Sequence, residues 1–170
     1  MRISIPLEEG KLPDRFGKYS PTEYKRYGNT IHSFPFSIID VPRETKSLAF
    51  TFVDYDSVPV CGFVWIHWLA CNIHPETTSI PEGASLNGTI PWVQGTNSSY
   101  SRLEEMEDDL SAAQGYLGPC PPDKDHTYTL VVYALDCMLD LDQGYFLNDF
   151  HWAIEGHVID KAESNIISRA

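Results

Sequence analysis

The chain has 170 residues and a mass of 19.2 kDa, with 42% hydrophobic, 21% charged and 12% aromatic side chains. That mix excludes a disordered polymer, a collagen-like fibre and a coiled coil. The length suits a single domain, residues 1–170, with a core large enough to need no metal or disulfide staple. Charge is uneven: residues 1–46 hold eight basic and six acidic side chains and residues 47–170 four basic and eighteen acidic, for a net charge of -12. So acidic a body repels phosphate backbones and anionic lipid surfaces, which argues against nucleic acid as a partner.

In chain order, residues 1–10 (MRISIPLEEG) lack the apolar stretch of a signal peptide. Residues 48–54 alternate large Leu48, Phe50 and Phe52 with Ala49, Thr51 and Val53, as a strand does. Residues 63–73 are apolar on both faces, the pattern of a strand covered from two sides. The surrounding uncharged stretch, residues 57–75, is broken by Pro59, Gly62, His67 and Asn72, so no membrane insertion is expected. Ser101 and Glu104 fit a capping box, and Leu103, Met106 and Leu110 follow at helical spacing, which predicts a short acidic helix over 101–111. Residues 127–136 are rich in β-branched and aromatic side chains and form a third long strand. A second helix is predicted from Asn148 or Asp149, with Phe150, Ile154, Val158 and Ala162 on one face and Glu155, Lys161 and Glu163 on the other. Both helices read as lids on a sheet. Three such strands with frequent Pro and Gly between them predict a mostly β fold, a sandwich of two sheets. Cys61, Cys71, Cys120 and Cys137 are scattered without a C-x-x-C pair, so reduced thiols in a cytoplasmic setting are expected.

Several residues could carry chemistry. Asp54 and Asp56 lie two apart after a strand, so in extended geometry both carboxylates face one side and the pKa of at least one is expected to rise; the same residues also fit an aspartate turn before Pro59. On a regular strand His67 shares a face with Trp65, Leu69 and Cys71, either as a core histidine bonded to backbone or water or as part of a site. Residues 115–122 (GYLGPCPP) have three prolines among the last four, leaving N–H donors at positions such as Gly118 and Cys120. Such a stiff segment suits either a preformed cavity mouth or a tight turn. His126 and Tyr128 follow on one face of the next strand as a donor–acceptor pair. No metal is expected. His67 and Cys71 sit about 13 Å apart along a strand, and His151 and His157 point apart on a helix. No G-x-S-x-G elbow or activated cysteine marks a nucleophile.

Taken in order, these motifs resemble the phosphatidylethanolamine-binding protein family, in particular small bacterial members similar to Raf kinase inhibitor protein. The matching pieces are Val41-Pro42 with residues 45–48 (TKSL), residues 54–59 (DYDSVP), Ile66-His67-Trp68 with Asn72-Ile73, residues 115–122, His126-Thr127-Tyr128 with residues 133–136 (YALD), and residues 154–158 (IEGHV), the last resembling the family's closing helix. They span residues 38–162, while residues 1–37 carry little of the pattern. The resemblance implies an antiparallel two-sheet sandwich with an anion pocket lined by Asp54, Asp56, His67, Gly118, His126 and Tyr128, without a cofactor. Tyr55 stands where the family has proline, Thr127 where it has arginine, and residues 97–114 look like an insertion.

An anion beside two aspartates needs a protonated group or a zwitterionic ligand, such as the phosphoethanolamine head group of a phospholipid. The leading expectation is therefore a non-catalytic binding protein for a small phosphate-containing or zwitterionic ligand, with kinase or signalling modulation implied by the family in some lineages. The alternative is a hydrolase or lyase using Asp54 or Asp56 as acid/base beside His67 and Tyr128. A third reading makes the acidic face a docking surface for a basic protein. Neither a protein partner nor an oligomeric state is encoded in a readable motif.

Overall fold

The computed structural model describes residues 1–100 and 113–170. Its strands are β1 (Arg2–Ser4), β2 (Lys25–Arg26), β3 (Asn29–Thr30), β4 (Phe36–Ile39), β5 (Ser47–Asp54), β6 (Trp65–Ile73), β7 (Ser79–Ile80), β8 (Val93–Gln94), β9 (His126–Leu135) and β10 (Val158–Ser168). The helices are short: α1 (Val58–Cys61), α2 (Ala84–Asn87) and α3 (Leu147–Ala153). A five-stranded sheet, ordered β10-β9-β5-β6-β8, faces a three-stranded sheet, β1-β4-β7, and β2 and β3 form a separate ribbon. Every pairing between named strands is antiparallel, so the protein is a mostly β, two-sheet antiparallel sandwich.

The alternation in β5 explains its place. Leu48, Phe50 and Phe52 point between the sheets, and Ala49 points outward to a second cluster with Leu69, Cys71, Leu135 and Phe150. Both faces are covered, so all eight residues of β5 are buried. Between the sheets Phe50 meets Trp68 at 4.7 Å and Phe36 at 5.3 Å, and Phe34 meets Phe52 at 5.1 Å, all edge to face. Each such ring contributes about 1.5–3 kcal/mol by burial, and truncation to alanine costs about 3–5 kcal/mol.

Two expectations change at the C-terminus. The helix begun at residues 148–149 ends at Ala153, and Gly156, at φ 80°, turns the chain into β10 rather than continuing to Ala162. Of residues 154–158, expected in a closing helix, 154–157 are this turn and Val158 opens β10. A spacing of four residues satisfies a helix turn and also two strand repeats, so Phe150, Ile154, Val158 and Ala162 fit both patterns. In β10 the period is two: Ala162, Ile166 and Ser168 are buried, while Lys161, Glu163 and Asn165 face solvent. The predicted acidic helix over 101–111 lies outside the described residues.

Candidate functional site

The cavity forms where β5 ends between its two neighbours, with Asp54 opposite Trp65 of β6 and Tyr128 of β9. Its volume is about 360 Å³. Five of the six residues expected to line it do so: Asp54, His67, Gly118, His126 and Tyr128. Asp56 does not. The chain turns after β5, with Ser57 N–H donating to Asp54 Oδ1 (3.1 Å), so the two aspartates lose the extended geometry that would align them. Asp56 instead accepts from the Thr127 N–H (2.8 Å) and fixes the start of β9.

His67 reaches the cavity through an irregularity. Val53 pairs with Ile66 and Phe52 with Trp68, which leaves His67 as an extra residue in β6. Such a bulge re-aims side chains. The ring therefore lies on the inner side, 5.7 Å from Phe52 and 5.0 Å from Tyr128, whereas Leu69 and Cys71, its expected face-mates, belong to the outer cluster. Its Nδ1–H donates to Leu117 O (2.7 Å), and the Leu117 N–H donates to His67 O (2.9 Å). A carbonyl can only accept, so Nδ1 carries the proton and Nε2 of the neutral ring presents a lone pair. Burial, outweighing the Leu117 carbonyl and the Asp54 charge, lowers the pKa of His67 to about 4. At neutral pH this ring is an acceptor, not a cation.

His126 is built the opposite way. Its Nδ1–H donates to Asp54 Oδ2 (2.7 Å) and its Nε2–H to Asp123 Oδ1 (2.9 Å). Two carboxylate partners require two protons on the ring, which makes it an imidazolium. Burial opposes the charge, but the hydrogen bonds to Asp54 and Asp123 prevail and its pKa is raised. Tyr128 stays a phenol, because burial first, then the neighbouring Asp54 carboxylate, raise its pKa.

The proline-rich lip is fastened from the N-terminal region. Gly118 N–H donates to Thr30 O (2.8 Å), so it is not a donor left for a ligand. A Cβ there would meet Thr30 Cγ2 at 2.1 Å and Phe16 O at 2.7 Å, which is why this position takes glycine. Tyr116 Oη–H donates to Phe16 O (2.6 Å), and Lys18 Nζ–H donates to Pro121 O (3.0 Å). The same region supplies a roof. The β2–β3 ribbon turns at Tyr27 and Gly28, both at positive φ (51° and 83°), and places Arg26, Tyr27 and Asn29 on the cavity wall. A cation thus comes from the ribbon where Thr127 removes the one expected from β9. Ser57 also lines the cavity, but its hydroxyl is engaged, 2.7 Å from Asp54 O and 2.8 Å from Phe63 O, while accepting from the Trp65 N–H (2.9 Å). Val60, Trp65, Leu117, Pro121 and Pro122 form an apolar stretch of the wall, beside Cys61, Ser99 and Cys120.

The phosphatidylethanolamine-binding protein family model matches residues 4–168. The chain belongs to that family. The match includes residues 4–37, in which the sequence motifs carried little signal. YxkA of Bacillus subtilis is 44% identical over 158 residues, covering 93% of this chain and 94% of that protein. A protein of Methanothermobacter thermautotrophicus is 39% identical over 145 residues, covering 84% and 85%. The crystal structure of CT736 of Chlamydia trachomatis, a homologue of phosphatidylethanolamine-binding protein, superposes with TM-score 0.78 at 30% identity, covering 99% of this chain and 97% of that one. Escherichia coli YbcL shares the fold at TM-score 0.77 and 24% identity, covering 99% and 98%. Family membership supports a phosphatidylethanolamine-binding-protein-like binding protein. Among the described residues all four cysteines are free thiols, and no helix is long and apolar enough to cross a membrane.

Three wall residues, Arg26, Tyr27 and Asn29, were not anticipated from the sequence. The usable signal was the dipeptide Tyr27-Gly28 between short polar runs, which marks a two-residue hairpin turn. Nothing in it indicates which cavity the hairpin would cover.

Proposed function

We propose that this family member is a non-catalytic binding protein whose cavity takes a small phosphate-bearing or zwitterionic group, such as a phosphoethanolamine head group, from an aqueous setting with reduced thiols. The observation that carries this reading is the pairing of opposite roles in one hollow. Arg26 on the wall brings positive charge, and neutral His67 offers an acceptor at Nε2, while the charge of His126 is already balanced by Asp54 and Asp123. A phosphate oxygen suits Arg26 and the Tyr128 hydroxyl; an ammonium or a P–OH suits His67. About 360 Å³ lies near the lower end of the roughly 300–1,000 Å³ typical of ligand pockets, which favours a head group over a whole lipid. The apolar wall then meets whatever carbon skeleton follows.

A hydrolase or lyase reading is weaker, because the groups it needs are occupied. Asp54 is bonded on one oxygen by His126 and on the other by the Ser57 N–H, and both nitrogens of His126 are bonded to carboxylates.

The test is calorimetric titration with phosphoethanolamine, and separately with inorganic phosphate, at pH 7 and pH 5. The charges facing His67 are Asp54 and His126, with the Tyr128 phenol beside it. A bound phosphate adds negative charge, raises the His67 pKa and draws in a proton. Affinity is expected to rise about fivefold to tenfold from pH 7 to pH 5, and the His67→Ala variant to lose that rise. Equal affinities for wild type and variant at both pH values would refute the assignment.

A further inference from the structure

A second group of chemistry-bearing side chains gathers at the other end of β9, roughly 30 Å along the strand from His126. Asp136 and Cys137 follow the last residue of β9, and His157 immediately precedes β10. The hairpin holds them. Asp136 N–H donates to His157 O (3.0 Å), His157 N–H donates to Ile154 O (3.0 Å), and the Cys137 carbonyl accepts from the Ser47 hydroxyl. With the backbones fixed, a His157 ring nitrogen, the Cys137 Sγ and an Asp136 carboxylate oxygen all lie within 4.8 Å of one another. His157 Nδ1 and Asp136 Oδ1 are already 2.8 Å apart.

We propose that Asp136, Cys137 and His157 form an open three-ligand site for a borderline-soft divalent cation, zinc being the best fit. Donors bound to zinc at 2.0–2.3 Å lie about 3.5 Å apart in a tetrahedron, so closing the set takes side-chain rotation and no backbone movement. The donor types select the metal. One imidazole, one thiolate and a single carboxylate suit zinc, whereas calcium and magnesium need several oxygens that these residues do not supply. Asp136 and His157 are exposed, so the fourth position opens to solvent and to an incoming ligand atom. The local field favours a cation: residues 136–142 (DCMLDLD) hold three aspartates and no basic residue, and Lys46 acts on Cys137 from outside that segment. The sequence hides this set because its members stand at positions n, n+1 and n+21, outside any metal-motif spacing, and meet only through β9–β10 pairing.

Cobalt(II) titration of the full chain tests the site, because a cobalt–thiolate bond gives a charge-transfer band in the near ultraviolet that zinc then removes by displacement. The expected result is one equivalent bound, with the band present in wild type and in Cys120→Ser, whose thiol is exposed at the cavity. The band should be absent in Cys137→Ser, and His157→Asn should weaken zinc binding by about tenfold or more. Circular dichroism on the same samples reports whether each variant is folded, and the two variants, one after β9 and one before β10, give independent readouts. No band in the wild type, or a band that survives Cys137→Ser or disappears in Cys120→Ser, overturns the proposal and leaves Asp136–His157 as a hairpin clasp. None of the three ligands lines the cavity, so the site stands or falls apart from phosphate binding.

Discussion

Replacing His67 with glutamine should flatten part of the protein's acid sensitivity. The folded chain holds His67 near pKa 4, against an ordinary value of 6.5, chiefly because burial penalises the charged ring. A histidine with a lowered pKa stabilises the fold fully above the unfolded value and loses that contribution as pH falls toward the folded one. At pH 5 an unfolded histidine is almost wholly protonated, while the buried one stays about nine-tenths neutral, and the difference is about 2 kcal/mol. Glutamine keeps a side-chain N–H for the Leu117 carbonyl but does not titrate. Urea unfolding followed by tryptophan fluorescence at pH 7 and pH 5 should therefore show wild type losing about 2 kcal/mol more than His67→Gln. The remaining titrating groups are common to both proteins and cancel in that difference. If both lose the same stability to within about 0.5 kcal/mol, His67 is not held neutral by burial, and the tautomer argument for Nε2 fails with it.

Other perturbations give distinct signatures. Asp54→Asn breaks a buried pair and should cost about 3 kcal/mol, which is about 6–12 °C in Tm for a chain of this size. In the same variant the His126 pKa, followed by NMR of its ring protons, should fall toward the ordinary value; an unchanged pKa would refute the carboxylate clamp. Because that pKa is raised, the clamp stabilises the fold below pH 6.5 and loses its contribution as pH rises through the folded value. Gly118→Ala drives a methyl into Thr30 and Phe16 O and should cost about 1–3 kcal/mol; a Tm equal to wild type in a scanning calorimeter would mean the ribbon is not pressed against the lip.

The long strands were legible because burial from both sides writes itself into β5 and β9 as apolar alternation. The site was legible in its residue types and less so in its geometry. A bulge leaves no trace in composition, so His67 was assigned by period two to the face of Leu69 and Cys71, and one extra residue moved it inward. Asp54 and Asp56 fail to align for a related reason: the rule of two applies to extended chain, and a turn begins at Asp54. The segment after α3 was ambiguous because a repeat of four residues satisfies both regular structures, and only Gly156 marked the change. Arg26 was invisible because a four-residue ribbon has no periodicity of its own and acquires meaning only by lying over a cavity made elsewhere.

That ribbon separates durability from selectivity. The aromatic layer between the sheets sustains the fold and holds the polar floor, while three side chains on a two-residue hairpin complete the ceiling without contributing to that layer. On the proposed binding role, ligand preference would be set at Arg26, Tyr27 and Asn29 apart from the aromatic layer that sustains the fold.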